Sequence, residues 1–130
     1  MSYTRNVETG KFVAWGKNKA KENSYIVKEG ELLEGKVVSV KDSEKYFKIF
    51  EIQPKGEDEV VIVTATKRIR DEFGYAAEKD SKNNWTPIPL DKQKAKTQVK
   101  AGDKVRIHFE GMKKTKSGQM YDLWTEVDSQ

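Results

Sequence analysis

Apolar and polar positions alternate most cleanly at Val105, Ile107 and Phe109, which fall on one side of an extended chain with Arg106, His108 and Glu110 on the other. Gly111 and a Lys-rich loop follow, then a last strand from Met120 to Val127, so the pattern predicts a terminal hairpin. Upstream, Leu32 to Val40 reads as a strand whose Gly35 marks a bulge or bend. Lys45 to Gln53 reads as a second strand, Pro54 to Asp58 as a tight reversal, and Glu59 to Thr66 as a third. The period then changes: Ile69, Phe73, Ala76 and Ala77 recur at helical spacing behind a Thr66 cap. Ser81 to Leu90, with Asn83-Asn84, Pro87 and Pro89, reads as an extended loop without regular structure, and Asp91 to Lys100 as an irregular basic segment. Residues 1–28 read as a basic arm in which only Lys11 to Trp15 is strand-like, and residues 29–130 as one domain with a helix-plus-loop insertion at about 66–100.

Composition narrows this picture. Of 130 residues, 35% are hydrophobic and 35% charged, against roughly 45 to 50% and 25% in ordinary domains, so the core is small. With no Cys, disulfides, Cys-based zinc sites and thiol nucleophiles are excluded. Nothing approaches the roughly 18 apolar residues of a membrane span, and no apolar signal core opens the chain, so the expectation is a cytoplasmic protein with no membrane partner. The net charge of +4 hides an asymmetry: residues 91–116 carry nine Lys/Arg against three Asp/Glu, and residues 1–30 six against three. Residues 31–66 carry five against eight, and the last 14 residues add three more acids. The expected partner is an anion meeting part of the surface.

Three meandering strands, one helix and two further strands form the order of the five-stranded Greek-key barrel called the OB-fold, which gives an all-β class with one short helix and an N-terminal arm. Glu31-Leu32-Leu33-Glu34-Gly35-Lys36-Val37-Val38-Ser39-Val40, Phe50-Glu51-Ile52, and Lys100 through Gly111 to Gly118-Gln119-Met120-Tyr121-Asp122-Leu123 resemble small OB-fold single-stranded DNA-binding proteins, of the compact phage-encoded type. The resemblance covers roughly residues 30–73 and 99–128, and it implies single-stranded DNA binding in replication or recombination, in the host cytoplasm. Two features depart from it. The Tyr75 to Gln98 connection is longer than a minimal OB domain needs, and Glu126 and Asp128 are too few to stand for the acidic partner-recruiting tail of the cellular proteins.

A single-strand site needs cations for phosphates and exposed rings for bases, each stack contributing roughly 1 to 3 kcal/mol. Lys113, Lys114 and Lys116 at the terminal hairpin tip supply the cations. Arg106 and His108 face away from the core strand face, and Trp124 stands beside them if Leu123, Val127 and Tyr121 point inward. The alternative for Trp124 is packing under the arm. Strand two carries apolar residues on both faces, Tyr46, Phe50 and Ile52 against Phe47 and Ile49, so alternation leaves its register open. The resemblance places Phe50 and Ile52 inward, which sets Phe47 on the binding face with Tyr46 and Lys48 at the rim. Trp15, between Lys11 and Lys17, is a further stacking candidate, whereas Trp85 reads as an anchor for its loop.

No catalytic residue, metal site or cofactor is expected. His108 is the only histidine; Gly111 to Gly118 lacks the Gly-Lys-Ser/Thr of a phosphate loop; Glu57-Asp58-Glu59 lacks calcium-loop spacing. Three rivals remain: RNA as ligand, since nothing reads a 2′-hydroxyl; a protein-interaction module using the acidic strands and Trp124; and a nuclease or hydrolase built on Asp122 and Glu126. A second copy of the chain or a replication protein is a further expected partner.

Overall fold

A computed structural model of the chain describes residues 11–16, 24–95, 97–116 and 118–128. The elements are β1 (Lys11–Trp15), β2 (Tyr25–Val27), β3 (Leu32–Ser43), β4 (Phe47–Pro54), β5 (Val61–Thr64), α1 (Lys67–Phe73), β6 (Ala77–Lys79), β7 (Trp85–Pro87), β8 (Lys104–Thr115) and β9 (Gly118–Asp128). Seven strands form one sheet in the order β9-β8-β3-β4-β5-β1-β2, strongly curled into a half-barrel, and β6 and β7 form a separate hairpin. The protein is mostly β, with one α-helix among the described residues.

Curling needs a strand that bends, and β3 does so. At Gly35 a Cβ would lie 2.4 Å from the Gln53 carbonyl oxygen, so only glycine lets β4 come this close. A register shift between Val37 and Ser39 adds a bulge. The inner face collects Leu33, Val37, Phe50, Ile52, Val63, Val105, Ile107, Phe109 and Leu123, all buried, with α1 closing the open side through Ile69 and Phe73. Phe50 and Ile52 therefore point inward, and the Phe50 ring meets Phe73 edge-on at 5.0 Å.

The Thr66 side chain caps α1 at the Ile69 N–H, as the sequence predicts. The helix stops earlier than Ala76 and Ala77 suggest: Gly74 takes φ 88° beside Thr97, and Ala77 begins β6. The predicted irregular loop at Ser81 to Leu90 instead holds β7. Asp80 Oδ1 accepts from the Lys82 and Asn84 N–H groups, Asn83 adopts φ 69°, and the tight turn lets Trp85–Pro87 pair back on β6. The Lys-rich loop is likewise strand, since β8 runs to Thr115 and β9 starts at Gly118. In the predicted arm, residues 1–10 and 17–23 lie outside the described residues, but β1 pairs in parallel with β5 and Val27 is 2% exposed in the core. The β5 edge is thus covered by β1. Helix α1 guards the β9 edge, where Glu72 Oε1 accepts from the Thr125 N–H and hydroxyl.

Candidate functional site

The expected site residues fall into three places. Arg106, His108 and Trp124 share the outward face of β8 and β9, as alternation predicts, with Trp124 paired to His108 and Glu126 to Arg106. The imidazole and indole stack at 3.7 Å and 1°, and Trp124 is 39% exposed. The charge around them is not cationic. Arg106 lies 3.3 Å from Glu34, 3.8 Å from Glu126 and 3.1 Å from Asp128, and Asp128 leads in raising its pKa above the ordinary value. Glu126 also meets His108 Nε2 at 3.1 Å, while the Trp124 N–H donates to Glu110. A guanidinium held by three carboxylates is not free for a phosphate, and the surrounding acids repel one. Its partners are Glu34, Glu126 and Asp128.

Lys113 and Lys114 lie in strand, with Lys116 at the turn, on a hairpin that outruns the core: Met112, Met120 and Tyr121 are exposed. A register shift between Asp122 and Leu123 separates this extension from the buried part. Tyr121 accordingly does not join Leu123 in the core; it leaves the barrel edge with its ring against Phe109. Lys113 is 3.8 Å from Asp122, and Lys114 and Lys116 have no ion pair among the described residues. Trp15 stands apart, half-buried, with its ring 5.8 Å from Phe109, so core packing accounts for its apolar character. Lys17 lies outside the described residues.

Tyr46, Phe47 and Lys48 sit at the β3–β4 turn, at the Ser43 end of β3, whereas the hairpin tip lies off its Leu32 end. Residues that sequence reasoning missed join them there. Lys45 lies over the Tyr46 ring, Lys48 over Phe47 and Tyr75 at 5.0 and 5.4 Å, and Arg70 and Lys79 over Trp85 at 4.7 and 4.9 Å. Trp85 meets Phe47 at 5.7 Å and donates its N–H to the Glu44 carbonyl, which confirms it as an anchor. Arg70 is 9% exposed; Nη1 donates to the Ala65 and Tyr46 carbonyls, Nε has no partner, and no described carboxylate pairs with it. Burial lowers its pKa. Among the described residues Lys48 has one counter-charge, Asp42 at 2.5 Å, whose carboxyl this bond holds below the usual range.

Phe47 adopts φ 71°, a left-handed conformation that costs a bulky residue about 1 to 3 kcal/mol and persists only where its surroundings dictate it. Beside it a cavity of about 280 Å³ opens between Phe47, Lys48, Tyr75, Ile88, Gln93 and Gln98. A larger groove, about 900 Å³, lies beside Gly35 and Lys104, but its lining balances Lys36, Lys55, Lys104 and Arg106 against Glu34, Glu57, Asp58 and Asp128, with no aromatic ring. Among the described residues no group of three or more His, Asp or Glu could hold a metal ion, and no helix is long and apolar enough to cross a membrane. No protein-family model matches the chain, and no curated protein or solved structure matches it either.

Proposed function

We propose that the protein is an OB-type module that binds single-stranded DNA with little sequence preference, through base stacking and phosphate contacts, in support of replication or recombination. The order β9-β8-β3-β4-β5 supports the OB assignment, because β3 joins the β4–β5 meander to the β8–β9 hairpin. The observation that carries the reading is the β3–β4 turn, where Tyr46, Phe47, Tyr75 and Trp85 are interleaved with Lys45, Lys48, Arg70 and Lys79, and among the described residues only Lys48 of these cations forms an ion pair. Rings with uncompensated cations suit a stacked, negatively charged strand. The hairpin lysines add a second cationic contact along its path. Titration with oligo(dT), oligo(rU) and duplex DNA at several salt concentrations, read by tryptophan fluorescence, tests this. The expected result is quenching by single-stranded DNA, far weaker quenching by duplex, and affinity that falls with salt. Equal affinity for duplex would leave a general polyanion binder, and tighter binding of oligo(rU) would move the assignment to RNA.

A second reading has its own observation. The Trp124–His108 stack, set among Glu34, Glu110, Glu126 and Asp128, is a partly apolar and acidic surface of the kind that meets a basic protein, and it can coexist with DNA at the β3–β4 turn.

A further inference from the structure

The connection from Ala77 to Gln98 exceeds what the curled sheet needs, and its placement shows what it adds. With β6, β7 and the segment up to Gln98 in place, Pro87, Ile88, Gln93 and Gln98 join Phe47 and Tyr75 in lining a half-open cavity of about 280 Å³. That volume falls just below the range usual for ligand sites, roughly 300 to 1,000 Å³, and suits one ring system better than a run of nucleotides. We infer that this cavity is a single-base pocket, which receives one base of the bound strand against Phe47 and Tyr75.

The chemistry of the walls supports that ligand class. Phe47 and Tyr75 line it with aromatic side chains that already hold the Lys48 ammonium, and Ala76 and Ile88 add apolar lining. Tyr75 is fixed by donating its hydroxyl to the Val99 carbonyl at 2.7 Å, and its ring also meets Phe50 at 5.8 Å. Gln93 is a strut: its side chain accepts from the Ala76 N–H and donates to the Ile88 carbonyl, which ties the insertion to the end of α1. Gln98 is exposed at the cavity edge with one amide donor group and one acceptor, and can pair with the polar edge of a base. The left-handed backbone of Phe47, which closes the β3–β4 hairpin opposite Ser43, sets the direction in which its ring leaves the sheet. A pocket that reads one base gives an otherwise tolerant binder a preference at one position of its strand.

This inference rests on the single-strand reading, and the test separates the two. Affinities for (dT), (dC), (dA) and (dG) homopolymers of equal length are measured against salt for the wild type, Gln98→Ala and Phe47→Gly, with the Gln98 side-chain amide followed by NMR during titration with the four deoxynucleoside monophosphates. Glycine accepts φ 71° without strain, so Phe47→Gly removes the ring while the backbone keeps its path. The expected wild-type preference between best and worst homopolymer is about tenfold, within the range one stacked and hydrogen-bonded base contributes. Both variants should bring it close to one with the salt slope unchanged, and the preferred monophosphate should shift the Gln98 amide. Tight binding of all four homopolymers without preference, or a preference that both variants keep, overturns the pocket and leaves single-strand binding standing. No binding of any homopolymer, with the Gln98 amide unmoved by every monophosphate, overturns both.

Discussion

The outward face of β8 and β9 and the turn between β3 and β4 each bring a tryptophan, other rings and an arginine together, yet the charges around them differ. Arg106 is surrounded by Glu34, Glu126 and Asp128, and Trp124 is tied to Glu110. Arg70 is buried on backbone carbonyls and the Trp85 ring and forms no ion pair among the described residues, and Lys79 shares that ring. The residue types are alike; the counter-charges decide. A cation whose charge is already balanced contributes little to holding a phosphate, whereas one held only by carbonyls and a ring still attracts it.

The largest effect that would break this comparison belongs to Arg70. Arg70→Ala leaves the Ala65 and Tyr46 carbonyls without their donor and removes packing from Trp85, so it should cost about 2 to 4 kcal/mol in urea unfolding. Single-strand affinity should fall with it, since the turn loses its brace. Next, Lys113, Lys114 and Lys116 changed together to Ala should lower the slope of log affinity against log salt by about 1.4 to 2, two to three contacts at roughly 0.7 each, because Lys113 is partly paired with Asp122. Unfolding should be unchanged, and an unaltered slope would show the tip to be solvated only. Third, Glu34→Gln, Glu126→Gln and Asp128→Asn together should raise affinity at low salt by about twofold to threefold through weaker long-range repulsion, an effect that should vanish at high salt. Smallest of all, Arg106→Ala should leave single-strand affinity within about twofold. A large loss there would return the binding face to β8 and β9.

Much of the sheet was legible in the sequence because its signals are local. Alternation set Val105, Ile107 and Phe109 inward, and the Thr66 cap placed the helix start. What escaped depends on partners distant in sequence. Alternation says that Arg106 faces outward, but not that a strand seventy residues earlier brings Glu34 beside it. The β6–β7 hairpin turns on one aspartate accepting two backbone donors, and its prolines pointed to a loop. Trp15 reads as a stacking candidate because its packing partner, Phe109, lies far along the chain. Tyr46, Phe47 and Lys48 stand out in the sequence, whereas Arg70, Tyr75, Lys79 and Gln98, which the fold brings beside them, do not. The signal for them was the length of the Tyr75 to Gln98 connection together with Trp85, which needed something to pack against.

The central claim is that a single strand lies along the β3–β4 turn and not across the outward face of β8 and β9, and the three tryptophans allow it to be measured directly. Two proteins, one with Trp15 and Trp124 changed to Phe and one with Trp15 and Trp85 changed to Phe, report from Trp85 alone and from Trp124 alone. Titration of each with oligo(dT) at moderate salt should quench Trp85 with a saturable curve that salt weakens, and should leave Trp124 emission nearly constant. Quenching of Trp124 with Trp85 unchanged would contradict the account and put the strand on the acidic face.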